Sequence, residues 1–271
     1  MFDFNPSLPK RIVCLTEETT ETLYKLGADD RIVGITAYTV RPPEAKLTKA
    51  IIARYIDAEI DEIIKLKPDV VFAWSDLQSK ISEELIRNGI EVFTFNHRSI
   101  EGILSMILKV GAIVGKNQEA EKLVREYLSK IENLQNRTQN YQSKPIVYFE
   151  EWYNPLITGI CWVSEIIELC GGIDPFEHHR NFFDAKRRIL ESTDIIIEKN
   201  PEIIIASWCG KPFKRERMLK RKGWTEIKAI QNDEIHEIDS AIILQPGPAA
   251  LTDGIDIIDS IISTYLNRRT N

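Results

Sequence analysis

What this chain lacks narrows what it can be. It has no run of the ~18 consecutive apolar residues that a membrane-spanning helix needs, so no part of it is expected to be embedded in a bilayer. Its opening, MFDFNPSLPKR, has neither the charged start nor the apolar core of a secretory signal. That predicts a cytoplasmic protein, the alternative being a periplasmic or extracytoplasmic one whose signal has been removed. A net charge of −6 lacks the basic face of a nucleic-acid binder, so no nucleic-acid partner is expected. The four cysteines (Cys14, Cys161, Cys170 and Cys209) show no CxxC spacing. They read as small buried hydrophobes in a reducing compartment rather than metal ligands or disulfides. The motifs GxGxxG, GxxxxGK[ST], GxSxG and HExxH are all absent, which leaves nucleotide-dependent and hydrolytic chemistry without support. The four histidines form no i, i+4 pair, and His178-His179 in PFEHHRNFF reads as part of a polar loop.

What is present is an ordinary globular balance, with 43% apolar and 28% charged residues in 271, and one phrase written twice. DEIIKLKPDVVFAW begins at Asp61 and DIIIEKNPEIIIASW at Asp194. Each is a short helical stretch (Asp57 and Ser192 as caps), a proline that cannot continue the helix, and an apolar run ending near a tryptophan. Such runs suit strands buried on both faces of a parallel sheet. Upstream, RIVCLTEETTETLYKLG and PIVYFEEWYNPLITGICWVSEIIELCGG each give strand, loop and helix closed by glycine. The element order is repeated, so the fold class is α/β, with two Rossmann-like βαβ lobes. Between them, SIEGILSMILKVGAIVGKNQEAEKLVREYLSKIENLQNRTQNYQSK carries one apolar stripe and a break at Gly115-Lys116-Asn117. The expected organisation is an N-terminal α/β lobe over 1–98, a long rigid linker helix over 99–143 and a C-terminal α/β lobe over 144–271, with the ligand cleft between the lobes. A single chain of this kind is expected to be a monomer.

The aromatic residues point to what the cleft holds. Tyr38, Trp74, Trp152 with Tyr153, and Trp208 fall at strand ends, Tyr55 lies in a loop before a helix, and Trp162 opens one. Ligands of open α/β sheets bind outside the carboxyl ends of strands. Aromatics gathered there make flat apolar walls suited to a large rigid ligand.

The stretches RIVCLTEETTETLYKLGADDRIVGITAYTVRPPEA, IDEIIKLKPDVVFAW and NPLITGICWVSEIIELCGG resemble the substrate-binding proteins of cobalamin and iron–siderophore ABC transporters, most closely the cobalamin-binding branch. The likeness runs from Lys10 to about Leu266, and the Tyr38…Pro42-Pro43 turn and the Leu66–Val71 motif together carry it. It implies the class III binding fold and a non-enzymatic protein for a corrinoid, working in an ABC-type uptake system or as a cytosolic relative of one. It places Tyr38, Tyr55 and Trp74 on the N-terminal wall, and Ile157, Trp162 and Arg188 on the C-terminal one. Asp61 and Asp194 stand where the family carries a permease-docking glutamate, one methylene shorter. The last loop, AIILQPGPAAL, replaces the polar residues of exported relatives, and Cys161 stands where some branches carry histidine. No catalytic and no metal-ligating residue is assigned, and the bound molecule is cargo rather than catalyst. A haem or ferric-siderophore binder is the alternative within the fold. An enzyme that processes metal tetrapyrroles, built like a chelatase, is the alternative from another class. It would need His178, His179 and Glu150-Glu151 to form a metal relay.

Overall fold

The computed structural model describes residues 7–53 and 58–270; Tyr55 and the expected cap Asp57 lie outside them. The chain divides into two compact units, one of Met1–His97 with Glu101–Glu126, the other of Arg98–Ile100 with Tyr127–Asn271.

The first unit is built on five parallel strands: β1 (Ile12–Cys14), β2 (Ile32–Thr36), β3 (Ala50–Ala53), β4 (Val70–Trp74) and β5 (Val92–Phe95), in the order β3-β2-β1-β4-β5. β1 and β4 are buried at every position, which is why their sequences read as unbroken apolar runs rather than alternating ones. Helix α1 (Glu17–Lys25) follows β1 and is closed by Gly27, at φ 63°, the left-handed position a helix stop favours in glycine. Helix α2 (Ile60–Lys65) feeds β4 through Pro68, and α3 (Ser79–Arg87) feeds β5. Apolar side chains from these helices and from β1 and β4 form one core around Val13, Leu15, Ile63, Val71 and Leu85.

The helical stretch expected over 99–143 is two helices, α4 (Ile100–Ile113) and α5 (Asn117–Thr138), broken at Gly115 with φ 68°. The division between the units falls inside α5, at Glu126 and Tyr127. Where α4 meets the start of α5, a Cβ at Gly111 would stand 2.4 Å from that of Ala120.

The second unit differs from the first at its start. Its strands are β6 (Val147–Tyr153), β7 (Leu156–Thr158), β8 (Ile203–Ala206) and β9 (Ile235–Glu237), ordered β7-β6-β8-β9. β6, β8 and β9 are parallel, but β7 turns back antiparallel on β6. Trp152 and Tyr153 therefore lie inside a hairpin strand, not just beyond a strand end as the repeated pattern suggests. Helix α6 (Cys161–Leu169) is closed by Gly171 at φ 87°, and α7 (Asp194–Lys199) reaches β8 through Asn200 and Pro201. The Ser192 hydroxyl accepts the Asp194 N–H at 3.1 Å. The chain ends in α8 (Ile255–Thr270). Among the described residues no helix is long and apolar enough to cross a membrane.

Replacing Gly111 by valine should cost ~1–3 kcal/mol, because the added carbons meet Ala120 in a space already filled. A denaturant midpoint unchanged from the parent would show that α4 and α5 separate freely.

Candidate functional site

In the second unit the acid pair Glu150-Glu151 lies on β6 where its register against β7 shifts, and the two carboxylates meet different partners. Glu150 is fully buried and meets the Arg221 guanidinium through both oxygens, at 2.5 and 3.0 Å. The Trp208 indole N–H donates to it at 3.0 Å and the Tyr148 hydroxyl at 3.4 Å. Burial pushes the Glu150 carboxyl up, and the Arg221 charge and these donors pull it back. Glu151 is held through both oxygens by Arg188 at 2.6 and 3.0 Å. Arg188 also donates to the Thr158 carbonyl, and it is almost wholly buried. Neither acid is free for a metal relay. His179 is bound up likewise, its Nδ1 lying 2.9 Å from the Thr158 hydroxyl. Burial, with the charges of His178 and Arg188, lowers it to about 4. Among the described residues no group of three His, Cys, Asp or Glu is placed to hold a metal ion.

Two expected wall residues do come together. Trp152 and Ile157, paired across the β6-β7 hairpin, line a cavity of about 360 Å³ with Glu151, Ile189 and Cys209. Trp152 continues into a ladder of rings: its centroid is 5.0 Å from that of Tyr153, Tyr153 lies 4.4 Å from Trp208, and Trp208 lies 5.0 Å from Phe213. Lys211 and Arg217 sit over Trp152 and Tyr153 at 5.3 and 5.0 Å, within cation–π range. Trp208, 3% exposed, lines a neighbouring cavity of about 540 Å³ with Lys211, Glu237 and Asp239. Arg188 stands behind the first cavity and orients its one acid. Trp162 is placed otherwise: it is 1% exposed and its indole N–H donates to the Ile243 carbonyl at 2.8 Å, so it packs in the core of this unit, where the sequence reading expected a wall. The four cysteines are free thiols, of which Cys14 and Cys170 are buried, Cys161 is half-buried and Cys209 is exposed. Cys209 and the two arginine–glutamate pairs were missed from the sequence, since partners 37 and 71 residues apart carry no local signal.

In the first unit, Tyr38 follows β2 in a turn and is half exposed. Trp74 ends β4 with its indole N–H 3.3 Å from the His97 carbonyl. After it, Ser75 adopts φ 63°, ψ 177°, a region that side chains other than glycine's rarely enter. Gln78 holds this corner, accepting the Trp74 N–H at 2.9 Å and donating to the Leu15 carbonyl at 3.2 Å. The loop after β2 is tied down by Glu17, whose Oε1 accepts the N–H groups of Val40 and Arg41, both at 2.9 Å. Glu17 and Glu18 are both pushed up to about 7 by burial, and the charges of Glu18 and Glu21 push Glu17 the same way. Asp61 and Asp194 are exposed, each in the first turn of its helix.

The sequence profile of the periplasmic binding protein family matches residues 12–242. An uncharacterised ABC transporter substrate-binding lipoprotein of Bacillus subtilis, YvrC, is 26% identical over 263 residues, covering 93% of this chain and 80% of that protein. The vitamin B12-binding protein of Vibrio cholerae is 25% identical over 265 residues, covering 96% and 90%. The crystal structure of a possible iron-binding, periplasmic solute-binding protein from Staphylococcus epidermidis superposes with a TM-score of 0.80 at 24% identity, covering 94% of this chain and 99% of that one.

The ion pairs and raised acids make two predictions. Arg221→Met strands the buried Glu150 charge and should cost ~3–5 kcal/mol, much of it recovered by adding Glu150→Gln; urea unfolding of both variants tests this. Glu17 binds its proton more tightly in the folded chain, about 7 against 4.5. The stability it contributes should therefore fall as pH rises from about 4.5 to about 7, by about 1.4 kcal/mol per unit of difference. Glu17→Gln should gain on the parent between pH 4 and pH 8, and a constant difference would contradict the assignment.

Proposed function

The chain belongs to the periplasmic binding protein family, and we propose on that premise that it is the substrate-binding component of an ABC-type uptake system, with a cobalamin-like corrinoid as its cargo. Two named relatives support the reading, one a substrate-binding lipoprotein and the other a vitamin B12-binding protein. The observation that carries it is the ring-walled cavity of the second unit. Trp152 and Ile157 give it a flat apolar face, the Tyr153–Trp208–Phe213 ladder stiffens that face, and the Arg188-backed Glu151 supplies one fixed acceptor. At about 360 Å³ it suits an edge of a macrocycle rather than the whole ring. For the first unit we propose Tyr38, Tyr55 and Trp74 as its ligand-binding residues. Rigid aromatic surfaces of this kind gain affinity from apolar burial, at ~25 cal/mol per Å², with little ordering cost.

The expectation of a cytoplasmic protein has no support in these relatives. A lipoprotein and a periplasmic solute-binding protein favour the extracytoplasmic alternative, and we place the chain's work there. That also gives Asp61 and Asp194 a partner. Exposed carboxylates at matching places in the two copies of the repeat suit bidentate arginines of a permease, which would fix register as well as add energy. A carboxylate in the first turn of a helix also stabilises that helix by itself, so only a binding measurement separates the roles.

Absorbance of the protein after gel filtration with cobalamin, haem or a ferric siderophore tests the cargo, and co-elution of cobalamin is the expected result. Trp152→Ala should weaken it by ~1–3 kcal/mol, whereas Trp162→Ala should act mainly on stability. Asp61→Asn with Asp194→Asn should leave cargo affinity unchanged and abolish association with the cognate permease. Retention of that association would reduce both acids to helix-end residues.

A further inference from the structure

The charge of this chain is unevenly spread. Its net charge is −6, yet seven of the twelve residues from Lys211 to Lys222, KPFKRERMLKRK, are lysine or arginine, against one glutamate. The segment follows β8 in the second unit and holds one short helix, Arg215–Leu219. Two of its cations are engaged inside the unit, Arg221 by Glu150 and Arg215 by Asp233. The other five, Lys211, Lys214, Arg217, Lys220 and Lys222, are exposed, and none of them pairs with a carboxylate among the described residues.

The segment is anchored from beneath while these cations face solvent. Met218 is buried in the core cluster of the unit, and Phe213 packs against that cluster. Neither of the two cavities of this unit described above is lined by Lys214, Arg217, Lys220 or Lys222, so these side chains do not surround an enclosed ligand. Like charges held this close repel one another, and an extended anionic surface relieves that repulsion. Four of the five are lysines. Lysine is a hydrated point charge on a flexible stem, which suits a layer of mobile phosphates; a fixed carboxylate is better met by the planar fork of arginine. Leu219, 37% exposed among these cations, adds an apolar group of the kind that enters a headgroup layer beside basic ones.

We propose that the Lys211–Lys222 segment is a docking surface for a bilayer that carries anionic phospholipid headgroups. Each basic side chain close to such a surface adds about fivefold in affinity, roughly 1 kcal/mol. A chain of net charge −6 is repelled by it as a whole, so attachment falls to this one segment and sets which side of the second unit meets the membrane. The proposal goes beyond the cargo and takes from the function proposed above only its setting, beside a permease in a membrane.

Co-sedimentation with vesicles, in the absence of cargo, tests it. The chain should bind vesicles of phosphatidylcholine mixed equally with phosphatidylglycerol, release them as salt rises, and ignore vesicles of phosphatidylcholine alone. Lys214→Gln with Lys220→Gln and Lys222→Gln should weaken binding by about tenfold or more, about 1.4 kcal/mol. The melting temperature should hold, because all three side chains are exposed and unpaired. The same charge removed from exposed sites of the first unit, by Lys46→Gln with Lys67→Gln and Lys80→Gln, should weaken binding far less. No binding to the mixed vesicles, equal binding to both kinds, or equal losses in the two triple variants would overturn the docking surface. Gel filtration with cobalamin reads the cargo separately, so failure there overturns the cargo and not this surface.

Discussion

The buried pair of Glu150 and Arg221 is the constraint around which the second unit is organised. A carboxylate with no exposure is tolerable only if its charge and lone pairs are met. Meeting them draws in Arg221 from 71 residues away, Trp208 from beyond the end of β8 and Tyr148 from the same strand. Arg221 in turn lies 4.3 Å from the centre of the Trp224 ring, which packs on Tyr148 inside the core. The pair thus pins Trp208, and through it the ring ladder that ends at Trp152. A core ion pair therefore fixes the far end of the cavity wall.

The neighbouring acid meets the same demand with a different partner: Arg188 neutralises Glu151 beside the cavity. Arg188 keeps one buried nitrogen, Nε, without a hydrogen-bond partner among the described residues. A guanidinium accepts that cost when its other nitrogens make short, charge-assisted contacts. Two adjacent acids that a metal relay would have needed are, in the fold, a structural anchor and an oriented acceptor.

How much of this the sequence disclosed follows from how local each signal is. The duplicated helix–proline–strand phrase was legible because it rests on spacing within fifteen residues, and α2 with β4 and α7 with β8 stand where it put them. The glycine stops at Gly27 and Gly171 and the break at Gly115 were legible for the same reason. The antiparallel turn of β7 was not: in a stretch that matched the first lobe as strand, loop and helix, a short hairpin arm reads as loop. The placement of Trp162 was not legible either, because a tryptophan opening a helix reads the same whether its ring meets a ligand or the core. Its indole partner, the Ile243 carbonyl, lies 81 residues away. Tyr38 is half exposed in the turn after β2, and Trp152 lines a cavity.

The first unit meets its buried Glu21 with Arg41 and Lys25 but leaves Glu17 and Glu18 to neutral donors, unlike the acids of β6 in the second unit. In the second unit each buried or half-buried glutamate of β6 is met by an arginine, so the charge beside its cavity is balanced before any ligand arrives. In the first unit Glu17 and Glu18 have only backbone amides and a threonine hydroxyl. A buried carboxylate with no cation is pushed toward its protonated form, and burial raises Glu17 and Glu18 to about 7, whereas the arginine-paired acids of β6 hold one end of the ring ladder and the cavity's acceptor in place.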